Sequence, residues 1–414
     1  MPDTLSALRV NAERFRASFD ALAAIGATPD GGVHRPALSE AHLQARHWYL
    51  KQAELAGLEA RLDGAGNHSA LLRCGSVGGP TLLMGSHLDS VPRGGRFDGA
   101  LGVTAAFEVL QVVKEAGISL GAHLEAVDFT DEEGHFAGLL GSLALTGRLE
   151  PGHFEDSRAG SKRFRKALKN AGLNEDALFT AGRDPASLAG YLELHIEQGL
   201  RLADGGLDIG IVTNIVGIRS TKIRFLGQAD HAGTTPMERR LDAALGACAF
   251  ALAVRKCVMD EFPGSVATVG NMDFEPGASN VVPQAVLVSL EFRAEEESAL
   301  DAMEEALLRS ARLEAERHGL ELDVESLGSS PPARMDTHVQ DAFREAAETL
   351  GLAHTFLHSG AGHDAQCLAP ICPTGMIFVP SVGGFSHSSR EFTEWHDCVN
   401  GANVLLQAAL LLAH

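Results

Sequence analysis

Thr81-Leu82-Leu83-Met84-Gly85-Ser86-His87-Leu88-Asp89 decides how this chain is read: an apolar run that ends on an imidazole and a carboxylate. The run has the length and composition of a buried strand, and the polar pair falls where the strand stops. Nine residues after Asp89, in the Gly-rich stretch Gly95-Arg96-Phe97-Asp98-Gly99, stands a second carboxylate. Another apolar run, Leu124-Glu125-Ala126-Val127-Asp128-Phe129-Thr130, leads into Asp131-Glu132-Glu133-Gly134. Imidazole and carboxylate are ligands that a borderline-soft cation such as zinc accepts. Two such clusters, each following a strand, point to a hydrolytic metal site.

Two further segments share this layout. Tyr191-Leu192-Glu193-Leu194-His195-Ile196-Glu197-Gln198 alternates as a strand should, and Gly375-Met376-Ile377-Phe378-Val379-Pro380 leads to Gly384-Phe385-Ser386-His387. The candidate ligands of four separated segments thus fall at or near the C-terminal ends of strands, where open α/β sheets collect their ligands. Residues 5–26, 38–57 and 101–116 read as helices from their three-to-four apolar spacing. The polar stretch 150–187, with Lys162, Arg163, Arg165, Lys166 and Lys169, is expected to hold a solvated helix.

The middle of the chain has another rhythm. Residues 215–227 read as a strand, 238–260 as a long helix, 265–274 and 283–293 as two strands, 296–318 as a helix and 320–327 as a last strand. This β-α-β-β-α-β order is the ferredoxin-like pattern. The expected fold is therefore α/β. A catalytic domain with a mixed sheet flanked by helices is built from residues 1–214 and 331–414. A ferredoxin-like α+β domain is inserted at 215–330, with linkers near Asn214 and Ser329-Ser330-Pro331-Pro332.

Composition bounds the function. A chain of 414 residues with 45% hydrophobic content is long enough for two domains with real cores. A formal charge of −20 argues against nucleic acid and anionic membrane surfaces as partners. The six cysteines form no C-x-x-C pair, as expected of reduced thiols in a cytoplasmic protein. The first twenty residues carry charges throughout and lack a signal-type apolar stretch, and no run suggests a membrane span.

A dinuclear hydrolytic site needs a bridging carboxylate, terminal ligands for each metal and a base for the water. Asp98 suits the bridge. His87 and His195 suit one metal, Glu133 and His387 the other. Glu132 stays free beside a ligand, where a general base should sit. Asp89 is expected to accept the outer N–H of His87. The ions expected are two divalent cations, zinc first, with manganese, cobalt or nickel as substitutes, because N/O sites discriminate weakly by affinity.

The segments G-S-H-L-D-S, G-G-R-F-D-G, D-E-E-G, E-L-H-I-E-Q-G, H-A-G-T-T-P-M, S-G-A-G-H-D-A and S-H-S-S-R-E occur in this order from residue 85 to residue 391. Together they resemble the zinc-dependent amidohydrolase branch of the aminoacylase/carboxypeptidase superfamily. That branch includes N-carbamoyl-L-amino-acid hydrolases, allantoate amidohydrolases and β-ureidopropionases. The resemblance implies the ligand set above, and it implies that His195 marks the amidohydrolase branch, since the peptidase branch generally has an acidic ligand there. It further implies that Gln198, His231, Asn280 and Arg293 grip the substrate carboxylate and the scissile carbonyl. Arg is suited to a bidentate carboxylate clamp, and the imidazole of His231 to a developing oxyanion. Gly362 and His363, in Gly360-Ala361-Gly362-His363-Asp364, are read as part of the substrate-binding wall. The resemblance also implies a homodimer through the inserted domain, which sends His231 into the partner's site.

One departure stands out. Many relatives carry an Arg-Phe pair after D-E-E-G and a longer spacer to the next Gly-Ser. Here the run is Gly134-His135-Phe136-Ala137-Gly138-Leu139-Leu140-Gly141-Ser142. The function expected is metal-dependent hydrolysis of a ureido or amide C–N bond in a small carboxylate substrate, first an N-carbamoyl-L-amino acid. The rivals are allantoate, an acylase or peptidase activity, and a binding protein without turnover. No G-x-S-x-G occurs to support a serine hydrolase.

Overall fold

The computed structural model describes residues 3–155 and 157–414. The chain divides into two compact units, one built from residues 1–213 and 334–414 and the other from 214–333. Its strands in chain order are β1 (Glu59–Leu62), β2 (His68–Leu72), β3 (Thr81–His87), β4 (His123–Phe129), β5 (Leu188–Ile196), β6 (Ile209–Ile215), β7 (Gly217–Leu226), β8 (Asp230–His231), β9 (Val266–Glu275), β10 (Val281–Val282), β11 (Ala285–Ala294), β12 (Glu321–Ser330), β13 (Ala333–Arg334), β14 (His354–Ser359) and β15 (Thr374–Val379).

The larger unit is a mixed α/β structure. Its sheet runs β1-β2-β4-β3-β5-β15-β6-β13, with β14 on β6. The centre, β4-β3-β5-β15, is parallel, with β2 and β6 antiparallel at its flanks. Parallel strands are covered on both faces. That is why β4 and β15 are buried at every residue and β5 at all but one. The alternation read at 191–198 is therefore not an inside–outside pattern. Glu193 and His195 face the same way, but both are buried. The helix Ala100–Glu115 buries nearly all of its length, and the C-terminal helix Trp395–Ala413 packs against it.

One helix expectation is corrected. The segment 5–26 is not one helix: a short turn at Asp3–Ser6 is followed by Ala12–Ala23. The break falls at Asn11, whose side chain caps the second helix by accepting the Arg14 N–H, while its own N–H goes to Glu108. The stretch 150–187 holds the expected solvated helix, Ser161–Asn170, with Lys162, Arg163, Arg165, Lys166 and Lys169 exposed, among three shorter pieces. Phe154 and Phe164 stack 4.5 Å apart within a buried apolar cluster, so its apolar residues form a small core of their own.

The smaller unit runs β7, a helix Ala243–Glu261, β9, β11, a helix Glu297–His318 and β12. Its antiparallel sheet has the order β12-β7-β11-β9. Val286, Val288, Leu290 and Phe292 of β11 meet Phe250, Leu300, Met303 and Leu307 of the two helices in one core. The short ladder β8–β10 pairs His231 with Val281.

Beneath the end of β3 lies a buried ion pair, Arg46 Nε to Asp128 at 2.8 Å, both side chains essentially inaccessible. Arg46 also donates to the carbonyls of Gly66 and Phe129, and Asp128 accepts the Leu88 N–H at 2.8 Å. Truncating one partner leaves an uncompensated buried charge. Arg46→Ala should cost about 3–5 kcal/mol of stability, seen as a lower thermal midpoint. A midpoint within a degree of wild type would show that the pair carries no such role.

Candidate metal centre

The four parallel strands deliver the donors. β3 ends on His87, β5 carries His195 one residue before its end, the turn 130–134 follows β4, and Ser386-His387 lies seven residues beyond β15. Asp98 precedes the helix Ala100–Glu115 and is the hub. Its Oδ1 lies 3.4 Å from His87 Nε2 and 3.1 Å from His195 Nε2. Its Oδ2 lies 3.6 Å from His387 Nε2, which is 3.4 Å from Glu133 Oε2. The donor atoms of His87, Asp98 and His195 lie within 4.8 Å of one another, as do those of Asp98, Glu133 and His387. The two groups share one residue, Asp98. Glu132 belongs to neither, and its Oε2 is 3.6 Å from His87 Nε2.

These residues fit metal ions by their hydrogen bonds as well as their types. His87 Nδ1 lies 3.0 Å from the Asp89 carbonyl and His195 Nδ1 2.9 Å from the Ile196 carbonyl. A carbonyl only accepts, so each Nδ1 carries a proton and each ring turns its Nε2 toward Asp98. A lone pair facing a carboxylate is repulsive unless a cation or proton lies between them. Electrostatics points the same way. Burial disfavours charge on His87, yet Glu132, Asp98 and Asp89 overcome it and hold its pKa well above the ordinary value. Burial, with the surrounding acids, pushes Glu132 and Glu133 well above the usual carboxylate range. Positive charge is what this pocket lacks.

One expectation is corrected here. Asp89 does not receive the outer N–H of His87 on its carboxylate, which stands 3.9 Å away; its backbone carbonyl takes that bond. The carboxylate instead accepts the N–H groups of Glu132 at 3.3 Å and Glu133 at 3.2 Å. Asp89 therefore holds the acidic turn. Asp131, at φ 58°, completes that turn by accepting the N–H groups of Phe136 and Ala137.

Other residues near the centre carry no role in the sequence reading. Glu391 is buried and accepts the N–H groups of Phe97 and Asp98 at 2.8 and 3.1 Å. Ser386 Oγ lies 3.0 Å from Asp98 Oδ2 and 3.1 Å from Glu391. A Cβ on Gly95 would collide with the Glu391 carboxyl, and one on Gly99 would sit 2.5 Å from the His87 ring, so both glycines are obligatory for close approach. Glu193, fully buried, accepts from Ser86 Oγ and the Ala365 N–H. The signal for Glu193 is its spacing of two from His195 on one strand, and for Glu391 its spacing of four from His387.

Gln198, at φ 58°, donates Nε2 to Asp98 Oδ2 at 2.8 Å, while its Oε1 is buried without a hydrogen-bond partner. His363 is buried, with Nε2 2.9 Å from Ser359 Oγ and its ring 4.6 Å from that of His195. Gly362 precedes it at the start of the turn into Asp364–Leu368. His231, Asn280 and Arg293 lie in the smaller unit. There His231 pairs with Val281 in the β8–β10 ladder and Ala232 donates its N–H to the Asn280 carbonyl, with His231 and Asn280 both exposed. Arg293, half-buried on β11, bonds Glu291 at 2.7 Å.

Residues 83–411 match the model of peptidase family M20/M25/M40. The chain is 37% identical to an N-carbamoyl-L-amino acid amidohydrolase of Geobacillus stearothermophilus over 98% of this chain and 99% of that protein. It is 34% identical to a ureidoglycolate hydrolase of Arabidopsis thaliana over 97% and 86%. The crystal structure of an amidase of the hydantoinase/carbamoylase family from Burkholderia multivorans superposes with a TM-score of 0.88 at 37% identity, covering 98% of this chain and 99% of that one. With the match spanning most of its length, the chain belongs to peptidase family M20/M25/M40, within its amidohydrolases that act on C–N bonds other than peptide bonds.

Proposed function

We propose that this chain hydrolyses N-carbamoyl-L-amino acids to the amino acid, carbon dioxide and ammonia. In this reading it binds two divalent cations, zinc first, on His87, Asp98, Glu133, His195 and His387. The observation that carries the reading is the pair of donor groups joined only by Asp98, with Glu132 beside them and outside both. The full-length relatives named for carbamoyl amino acids support the substrate class. A ureidoglycolate-type substrate is the second reading, favoured by the Arabidopsis relative. Allantoate shares the same ureido chemistry.

Bound metal supplies Lewis-acid polarisation of the scissile carbonyl and a water of lowered pKa. The chain's residues do the rest. Glu132 takes the proton from the attacking water and returns it to the leaving nitrogen. Asp89 fixes the backbone from which Glu132 works. Gln198, tied to Asp98 by its amide N–H, offers its unpartnered carbonyl to a substrate N–H. Gly362 and His363 form part of the wall. In the smaller unit Arg293 and Asn280 bind the substrate carboxylate and His231 donates to the oxyanion.

This unit is also read as a lid and a dimerisation surface. On its helix Ala243–Glu261, Leu245, Leu252 and Met259 recur every seven residues and are 47%, 80% and 63% exposed. β9 is an edge strand of its sheet. An apolar seam next to an open strand edge suits pairing with a second copy. The reading places the enzyme in the cytoplasm, with its six cysteines free.

Exhaustive chelation should abolish ammonia release from carbamoyl amino acids, and re-addition of zinc, manganese or cobalt should restore it. Undiminished turnover in metal-free protein would end the metal reading. Glu132→Gln should retain both metals by elemental analysis while kcat falls by roughly 10²–10⁴-fold; a kcat near wild type would remove Glu132 as the base. Mixing an inactive Glu132→Gln chain with an inactive His231→Ala chain tests the dimer. Recovered activity in mixed dimers is expected, because one site then has both residues intact. No recovery would mean that His231 does not serve the partner's site.

A further inference from the structure

A cavity of about 390 Å³ lies between the turn after β5 and the loop that follows β14. Its wall includes Gln198, the residue whose amide reaches Asp98 Oδ2. Its floor is Phe378, on β15 in register with His195; the Phe378 ring is 6.5 Å from that of His195 and 5.7 Å from that of His363. The cavity is therefore one aromatic ring away from a metal-site histidine. Its volume falls in the range of small-molecule sites.

The chemistry of the lining follows from which groups are already engaged. The carboxylate of Glu197 is turned back to accept the N–H groups of Arg201 and Leu202 at 2.7 and 2.9 Å. Arg201 Nη2 lies 3.4 Å from His358 Nε2 at the exposed end. The apolar part of the lining is Leu200, Leu357, Ala361 and Phe378, beside the polar groups of Gln198, Arg201 and His358. Leu200 is 45% exposed at the rim, where Gly384 packs against it in the segment leading to His387.

On the reading of this chain as a carbamoyl amino acid hydrolase, we infer that this cavity receives the substrate's α side chain and selects for a branched or aromatic apolar one. The α-carbon of such a substrate is one bond from the ureido nitrogen. A substrate whose ureido N–H meets the free Gln198 carbonyl therefore has its side chain beside the Gln198 wall. A buried apolar group can be worth about 10- to 200-fold per methylene at an enzyme pocket. The leucine and phenylalanine derivatives should thus exceed the glycine derivative by at least about 100-fold in kcat/KM.

The experiment measures ammonia release by metal-replete enzyme from N-carbamoyl-glycine, -L-leucine, -L-phenylalanine and -L-aspartate, and from ureidoglycolate. Two variants are compared with wild type. Ala361→Leu fills the cavity, and Leu200→Ala strips apolar lining from its rim without touching the core. Each should lower the leucine-to-glycine ratio of kcat/KM about tenfold. A ratio unchanged in both variants, or carbamoyl amino acids turned over without regard to side chain, would overturn the inference and leave the proposed function standing. Preference for the aspartate derivative would overturn it in favour of recognition by Arg201. Turnover of ureidoglycolate alone would overturn both.

Discussion

Crowded carboxylates are the constraint on which the rest of the larger unit depends. Asp89, Asp98, Asp128, Asp131, Glu193 and Asp364 are all buried, and Glu132, Glu133 and Glu391 stand beside them. An isolated buried carboxylate is costly. Here the chain answers with oriented backbone N–H groups more than with cations. Asp89 takes two, Asp131 takes at least two, Glu391 takes two, and Asp128 and Glu193 take one each. Arg46 is the one arginine that ion-pairs with this layer, through Asp128; Arg35, also buried, spends its guanidinium on carbonyls of Leu22, Ile25 and Leu88. Burial lowers the Arg35 pKa to about 10, with Asp128 and Asp89 opposing the shift.

Backbone donors of this kind exist only where the chain stops making regular structure. A strand interior spends its N–H groups on neighbouring strands. The turn after β4, the loop before the helix Ala100–Glu115 and the segment after β15 have N–H groups to give. The chemistry therefore collects at the C-terminal ends of the parallel strands for two reasons. The strand order points four side-chain-bearing ends to one edge, and the loops there can solvate buried acids without water. Three of the six non-glycine residues with positive φ among the described residues fall in the same place: Asp131, Gln198 and His387, at 58°, 58° and 54°. Each costs energy that the surrounding bonds offset.

Much of this was legible from sequence because ligand chemistry uses few residue types at strand ends. His87, Asp98, Glu133, His195 and His387 stood out as histidine and acid in Gly-rich punctuation, and the structure gathers their donor atoms. The helices and strands of the middle segment were readable because amphipathic periods there are clean; β11 alternates buried and half-buried along most of its length. What was not legible depends on bonds between distant residues. Glu391 bonds Asp98 across 293 positions, and Glu193 bonds Ala365 across 172. Locally each shows only its spacing from a ligand histidine, which does not name the residue it bonds. The Asp89 expectation fails because a carboxylate two residues from a histidine looks like its partner, whereas Asp89's own backbone carbonyl is closer. The helix break at Asn11 depends on Glu108, also far along the chain.

The two donor groups differ in how firmly the fold holds them. His87 and His195 are about 1% exposed, and their outer nitrogens are tied to carbonyls, so their rings arrive with orientation already fixed. His387 has a side chain 55% exposed on a segment outside regular structure. Its ordering rests on Ser386, which donates to the Asp98 carboxylate, and Glu391, which accepts the Asp98 backbone N–H. Rotamer freedom that is lost on binding weakens affinity, whereas freedom already lost on folding does not. The group formed by His87, Asp98 and His195 is thus preorganised by the core of the sheet. The group formed by Asp98, Glu133 and His387 is ordered by a carboxylate, a serine and a tail segment acting on the shared bridge. Asp98 is the point where the buried half of the centre lends its order to the more exposed half, and Glu391 holds the peptide on which that transfer depends.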